Sequence, residues 1–212
     1  MRQVIRKTLI LCGISVLVFS SLSFADDGPT AQVKSTVDRV LEILKEPALK
    51  SPDKEETRGK QLKKVIFARF DFDEMAKRSL GVHWRERTPQ ERKEFVKIFA
   101  DLLELSYRRK IERYTDEEIQ YTKEQVDEKF GVVTTEIVSE KEGVDIPIDY
   151  KVIRRGDEWK VYDVVIDGIS LVGNYRSQFN RIILRSSYAE LVKKMRIKQE
   201  TEAEEIGSPS KQ

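Results

Sequence analysis

Two carboxylates in the segment VYDVVIDGIS have the clearest potential for acid–base chemistry. Asp163 and Asp167 are four positions apart in a segment typical of a β-strand, so their side chains point to the same side of it. Two carboxylates that share one space can act as general acid and general base. The chain holds 37 acidic residues, however, and pairs at this spacing then arise often by chance. A catalytic role for this pair is therefore the alternative interpretation.

The only histidine and the only cysteine do not form a recognisable metal site or nucleophile. His83 lies in GVHWRE, after a short predicted helix, and Cys12 lies near the N-terminus. A zinc site needs several His or Cys ligands, and the chain has no G-x-S-x-G motif of the kind that carries a nucleophilic serine. We expect no metal, no cofactor and no catalytic residue, and we interpret His83 as a packing or surface residue.

A polar ridge in the segment LVGNYRSQFNRIILR could meet an anionic group. At helical spacing the ridge runs beside apolar residues, and it consists of Asn174, Gln178, Arg181 and Arg185. Arginine and amide side chains donate hydrogen bonds to phosphate and carboxylate oxygens. These four residues are the candidate contacts for an anionic head whose apolar part is directed inward, although an ordinary amphipathic boundary would look the same.

Periodicity and capping residues predict four helices in the first half of the chain. The first covers 29–45 and the second about 54–69; FDFDEMAKRSLG is a short helix that ends at Gly81, with Asp71 or Asp73 as N-cap. The longest begins at TPQE, where Thr88 and Glu91 can form a capping box. Its buried face is unusually aromatic.

The second half of the chain predicts a sheet and then more helices. Apolar residues alternate with polar ones in VDIPIDYKV, and strands are predicted at about 119–126, 132–139, 144–152 and 159–166. A helix over about 170–185 and another from 188 follow. This order predicts an α+β fold with a curved antiparallel sheet of about four to five strands and helices packed on one face.

The N-terminus has the three parts of a secretory signal peptide. A basic start is followed by an apolar run over 8–18 and by the small residues SFA, which predicts a signal peptide over 1–25 cleaved after Ala25. The alternative is a membrane anchor, but the run is shorter than the ~20 residues that span a bilayer. We therefore expect a folded domain over 26–198, and the polar segment 199–212 predicts a disordered tail.

The charge balance argues against nucleic acid as a partner. Without the three basic residues of the predicted signal peptide, 36 Lys and Arg face 37 Asp and Glu. Binding to phosphate backbones needs a basic surplus. Because Cys12 lies within the predicted signal peptide, the exported chain has no cysteine for a disulfide, and its core must be held by burial alone.

Several motifs resemble the MlaC family of periplasmic phospholipid-binding proteins, also known as toluene-tolerance or auxiliary ABC-transport proteins. EWKVYDVVIDGISLVGNYRSQFNRII, over 158–183, resembles the family signature in order and spacing. FDFDEMAKRSLGVHW resembles an upstream family segment, and TPQERKEFVKIFADLLELSY is similar to the long helix that follows it. The resemblance covers most of the chain after the predicted signal peptide.

The resemblance implies a periplasmic carrier that shuttles phospholipid between the inner and outer membranes and catalyses no reaction. The implied partners are an inner-membrane ABC transporter complex with a hexameric lipid-transfer subunit, and an outer-membrane lipoprotein. The implied fold holds the acyl chains in an internal apolar pocket. Nine large apolar residues on predicted inward faces are the candidate contacts: Phe99, Leu103, Val132, Ile146, Val164, Ile166, Leu171, Tyr175 and Phe179.

Two other functions remain open from the residues themselves. One is an envelope enzyme that acts on lipid through Asp163 and Asp167. The other is a structural adaptor with a fully packed core, because apolar stripes of this kind are usually plain core. The interior separates the three: an apolar pocket, carboxylates that converge on a cleft, or solid packing.

Overall fold

The computed structural model describes residues 28–112, 118–138 and 145–207. The first half of this part is helical, as the periodicity predicts. It contains α1 (Pro29–Lys45), α2 (Glu55–Arg69), α3 (Phe72–Leu80), a 3-10 turn (Gly81–Trp84) and α4 (Pro89–Glu112). The helix bounds agree with the predicted ones within a residue, because local side chains set them.

Capping side chains begin two of these helices. Asp71 Oδ1 accepts a hydrogen bond from Glu74 N at 2.8 Å, which makes Asp71 the N-cap of α3. At the start of α4, Glu91 N donates to Thr88 Oγ1 at 3.2 Å and Thr88 N donates to Glu91 Oε2 at 2.8 Å. The predicted capping box is confirmed, and it satisfies two backbone donors that a helix end leaves free.

The sheet is antiparallel, with its strands in chain order. It contains β1 (Glu118–Asp127), β2 (Phe130–Val138), β3 (Ile146–Arg155), β4 (Glu158–Ile166) and the two-residue β5 (Ile169–Ser170). The α+β class and the antiparallel sheet of four to five strands are confirmed. Residues 139–144, where two predicted strand ends fall, lie outside the described residues.

A β-bulge in β4 explains why this strand is apolar at both odd and even positions. Lys151 pairs with Asp163 and Val152 pairs with Val161, so Tyr162 is the extra residue. Val161 and Val164 are three positions apart, and the bulge brings both into the same buried cluster. Asp163 is displaced to the opposite face, next to Lys151.

The described core consists of two main apolar clusters. The helical cluster joins α3, α4, α5 (Leu171–Arg185) and α6 (Tyr188–Gly207), with Phe95, Phe99 and Leu191 almost inaccessible to solvent. The sheet cluster joins α1 to one face of the sheet. Among the described residues, Phe70 alone packs against both clusters, and it also forms a parallel bridge with Val161 of β4.

Helix α6 continues beyond the point where the sequence predicts disorder. It runs to Gly207 because α4 supplies partners: Gln199 Nε2 donates to Ile98 O at 2.7 Å, and Ser106 Oγ donates to Glu202 Oε1 at 3.4 Å. The predicted disordered tail is therefore wrong for 199–207, while 208–212 lie outside the described residues.

The predicted signal peptide, with its cleavage site after Ala25, also lies outside the described residues. Within 28–112, 118–138 and 145–207, every helix is too short or too polar to cross a membrane.

Candidate functional site

Five of the nine predicted apolar contacts lie in or against the helical cluster. Phe99 and Leu103 come from α4, and Tyr175 and Phe179 come from α5. The Phe179 ring meets the Phe99 ring edge-on at 5.8 Å and lies 5.4 Å from that of Tyr175. Leu171 packs on the margin of the cluster. Burial raises the pKa of the Tyr175 hydroxyl to about 12, so this side chain is uncharged at neutral pH.

The other four predicted contacts belong to the sheet and are not part of the helical cluster. Val164 is buried in the sheet cluster, and Ile146 packs against it. Val132 is half-buried and pairs with Lys151, on the opposite face from that cluster. Ile166 is 36% exposed, against the expectation of an inward position. The nine residues are thus divided between the two clusters, the opposite face of the sheet and, for Ile166, an exposed position at the end of β4.

The predicted polar ridge lies on the exposed side of α5. Asn174, Gln178, Arg181 and Arg185 are all exposed, and Gln178 Nε2 donates to Asn174 Oδ1 at 3.1 Å. None of the four lines either of the two grooves that the structure forms beside this helix. Their role as head-group contacts stays a prediction.

A groove of about 600 Å³ lies between α3, the 3-10 turn, the start of α5 and strands β3 and β4. Five cationic and two acidic side chains line it. They are Lys77, Arg78, Arg85, Lys151 and Arg176, with Glu74 and Asp163. A second groove of about 530 Å³ adjoins the first and shares Gly81, Val82, Gly173 and Arg176 with it. Arg176 therefore lies where the two grooves meet.

The sequence reasoning missed Arg176, which is two positions from the predicted ridge. The rotation of α5 decides which polar residues face the groove, and no pattern within α5 reveals that rotation. No signal in the sequence linked Arg176 to Gly81, because the two residues meet only through the packing of α5 against α3.

Asp163 anchors the N-terminus of α5 to the sheet. Its Oδ1 accepts from Val172 N at 3.0 Å and its Oδ2 accepts from Ser170 Oγ at 2.7 Å, while Lys151 Nζ lies 3.5 Å from Oδ2. Asp163 is 5% exposed, whereas Asp167 is exposed in the turn after β4. The buried carboxylate is fully occupied by structural donors, which argues against its use as the base of an enzyme.

His83 is buried and contacts α5. Its Nε2 lies 2.9 Å from Asn180 Oδ1, so the ring ties the 3-10 turn to that helix. Within the described ranges, no group of three or more His, Cys, Asp or Glu side chains could hold a metal ion. The packing interpretation of His83 agrees with this position.

A charged network fastens α3 to the sheet beside the groove. The Arg78 guanidinium lies 4.2 Å from the centre of the Tyr162 ring, and its Nε donates to Glu74 Oε1 at 2.8 Å. Arg155 Nε donates to Asp71 Oδ2 at 2.8 Å, and this hydrogen bond raises the pKa of Arg155 above its usual value. Glu74, the acidic residue that α3 contributes to the groove lining, is therefore held by Arg78.

The fold defines the class of protein: an α+β domain in which the described residues form six helices and one five-stranded antiparallel sheet around separate apolar clusters. The chain belongs to the MlaC protein family, whose family model matches residues 34–197.

Two proteins are similar to this chain in sequence. The chain is 29% identical over 121 residues to the intermembrane phospholipid transport system binding protein MlaC of Haemophilus influenzae, which covers 55% of this chain and 56% of that protein. The chain therefore spans little more than half the length of that relative. It is 23% identical over 180 residues to the toluene tolerance protein ttg2D of Pseudomonas putida, which covers 84% of this chain and 82% of that protein.

A solved structure shares the fold. It is the phospholipid-binding protein from Ralstonia solanacearum in complex with a phospholipid, at a TM-score of 0.70 and 27% sequence identity. The match covers 82% of this chain and 97% of that one. Nearly the whole length of that relative is thus matched by this chain.

Proposed function

We propose that this protein is a phospholipid carrier that catalyses no reaction. The observation that carries the proposal is the structural match, over 97% of its length, to a relative that holds a phospholipid. Membership of the MlaC family supports it independently. The capping role of Asp163, which leaves no free carboxylate pair at the groove, argues against the enzyme that the sequence left open.

The energetics of acyl chains explain why such a protein needs no catalytic group. Burying one methylene is worth about 0.8 kcal/mol, so two chains of roughly sixteen carbons gain over ~20 kcal/mol by leaving water. Free diffusion of a phospholipid through water is therefore very slow. An apolar interior with an opening is sufficient to carry it.

The acyl chains are placed, in this proposal, between the helical and sheet clusters. The two clusters are separate among the described residues apart from Phe70, which contacts both. Phe70 is therefore the residue at which apolar surface of both clusters comes together. Of the nine predicted contacts, Phe99, Leu103, Tyr175 and Phe179 lie on the helical side and Val164 on the sheet side. Val132 and Ile166 belong to neither cluster.

The compartment and the partners are part of the same proposal. The predicted signal peptide directs the chain to the periplasm. There it exchanges phospholipid with an inner-membrane ABC transporter complex that has a hexameric lipid-transfer subunit, and with an outer-membrane lipoprotein. The name of the Haemophilus influenzae relative, which places that protein in an intermembrane phospholipid transport system, supports this assignment.

Lipid extraction tests the proposal. The full chain is expressed in a Gram-negative host, purified from the periplasm without detergent, and its organic extract is measured by mass spectrometry and by phosphorus content. We expect about one phospholipid per protein and uptake of isotope-labelled phospholipid from vesicles. Protein that is consistently empty and takes up no lipid would contradict the carrier function.

A further inference from the structure

Two arginines at the first groove have no acidic partner among the residues that the structure describes. The groove lining contains five cations and two carboxylates, and the carboxylates are already paired: Glu74 with Lys77 and Arg78, and Asp163 with Lys151. The guanidinium groups of Arg85 and Arg176 form no ion pair with any residue that the structure describes. The groove therefore has an uncompensated positive potential that favours an anionic ligand.

Arg176 is positioned by a glycine. A Cβ placed on Gly81 would lie 3.0 Å from Arg176 Nε and 3.6 Å from its Cζ, so the guanidinium lies directly over the bare Cα. Gly81 has φ +57 and ψ −123, a backbone conformation that side chains with a Cβ rarely adopt. The missing Cβ at the end of α3 thus leaves the space that the Arg176 side chain occupies at the junction of the two grooves.

The groove lining also contains apolar side chains, which favours a ligand with both a charged and an apolar part. Val82 is 69% exposed, and Trp84, Tyr162 and Val172 add apolar surface to the same lining. The helix N-terminus at the groove does not compete for the anion, because Asp163 and Ser170 already accept its N–H groups. Arginine is suited to phosphate because its planar fork donates two parallel hydrogen bonds.

We propose that this groove binds a phosphate ester, with Arg176 and Arg85 as the phosphate ligands. The identity of the physiological ligand rests on the proposed carrier function. If the protein carries phospholipid, the phosphate belongs to a phospholipid head group. Free phosphate shares the same chemistry. This assignment competes with the predicted ridge of Arg181 and Arg185, which lines neither groove.

Short-chain probes separate the head-group site from the acyl-chain site. Dihexanoyl phosphatidylglycerol carries the phosphate, and dihexanoylglycerol lacks it. Their affinities are measured by titration calorimetry on protein expressed from the full chain. We expect the phosphate probe to bind about fivefold more tightly, the size of one exposed charge-assisted pair. The double variant R85Q/R176Q should lose this preference while still binding dihexanoylglycerol, because its apolar clusters are untouched.

The matched control is R181Q/R185Q, which removes two arginines from the same molecule outside the grooves. Retention of the preference in this control supports the assignment to Arg85 and Arg176. Equal binding of both probes by the unmodified chain would overturn it. So would a preference that survives in R85Q/R176Q or disappears only in R181Q/R185Q.

A third probe keeps this inference distinct from the carrier function. Inorganic phosphate is titrated while the Nε–H signal of Arg176 is followed by NMR. If no lipid probe binds but phosphate shifts this signal saturably, and the shift is lost in the R85Q single variant, the site stands with free phosphate as its ligand and the carrier function fails. If the lipids bind without phosphate preference and inorganic phosphate causes no shift, the carrier function stands and the site is wrong.

Discussion

Asp163 Oδ1 accepts a hydrogen bond from the backbone N–H of Val172 at 3.0 Å, across the junction between β4 and α5. The second oxygen accepts from Ser170 Oγ, whose own oxygen accepts from Gly173 N at 2.8 Å. Ser170 is the N-cap of α5, and the buried Asp163 carboxylate ties this cap and the first turn of the helix to β4. On the same helix Arg176 lines both grooves, whereas Arg181 and Arg185 of the predicted ridge lie outside them.

Removal of this carboxylate should weaken the fold without a change in chemistry. We expect Asp163→Ala to lower the free energy of unfolding by about 1.5–3 kcal/mol, the usual contribution of a hydrogen bond to a charged group. Asp163→Asn, which keeps one acceptor oxygen, should cost less. Urea unfolding measures both, with the exposed Asp167→Ala as control. Loss of a lipid-directed reaction in Asp163→Asn at unchanged stability would favour the enzyme instead.

The contact between Gly81 and Arg176 predicts that alanine substitutions at two glycines with similar φ differ in their cost in stability. Gly81→Ala places a Cβ 3.0 Å from Arg176 Nε, whereas Gly156, at φ +63, has no atom within 4 Å of its added Cβ. Gly156→Ala should cost about 1–2 kcal/mol from left-handed backbone alone. We expect Gly81→Ala to cost more in thermal or urea unfolding, both because its ψ of −123 lies outside the left-handed region and because of the contact with Arg176.

Part of the excess cost should disappear when Gly81→Ala is combined with Arg176→Ala, because the contact atom is then absent. Additive costs in this double-mutant cycle would show that Arg176 does not rest on the glycine.

A charge in the helical cluster should reduce lipid content more than one on the helix surface. Phe179 is 4% exposed and contacts the rings of Phe95, Phe99 and Tyr175. Its truncation to Ala should cost about 3–5 kcal/mol. We expect Phe179→Asp to cost more and to lower the phospholipid extracted per folded molecule. Leu184→Asp, on the same helix at 72% exposure, is the matched control.

The variant R181A/R185A should keep its stability within about 0.5 kcal/mol, as for most exposed substitutions. It should also keep most of its lipid, since the acyl chains dominate binding. If R181A/R185A contained no lipid while Phe179→Asp retained all of it, the polar side of α5 and not its apolar side would be the one that contacts the lipid.

The capping box of α4 predicts a pH dependence. The backbone hydrogen bond from Thr88 is the main cause that lowers the pKa of Glu91 below its ordinary value of 4.5. A carboxyl with a lowered folded pKa stabilises the protein above its unfolded pKa, and this contribution is lost as the pH falls through the folded value. The stability difference between the unmodified chain and Glu91→Gln, measured by urea unfolding, should be present at neutral pH and vanish in acid. A difference that is independent of pH would contradict this role of the charge.

Local signals were sufficient to predict the elements. Asp71, Thr88 and Glu91 cap helices through hydrogen bonds within three residues, so their patterns are visible in the chain itself. The same holds for the period of two in VDIPIDYKV, which became β3. Prediction was poorer for contact surfaces: Val132 and Ile166 were expected to face inward, but one lies on the opposite face of the sheet and the other is exposed.

The sequence by itself determined the family resemblance, the α+β class and nearly every helix boundary, because capping and periodicity depend on neighbours along the chain. Only the tertiary structure decided three things. The bulge at Tyr162 placed Val161 and Val164 on one face of the sheet, contacts with α4 extended α6 to Gly207, and the packing of α5 against α3 placed Arg176 over Gly81. Each depends on contacts between residues distant in sequence, and a one-residue change of register or a rotation of one helix would reverse it.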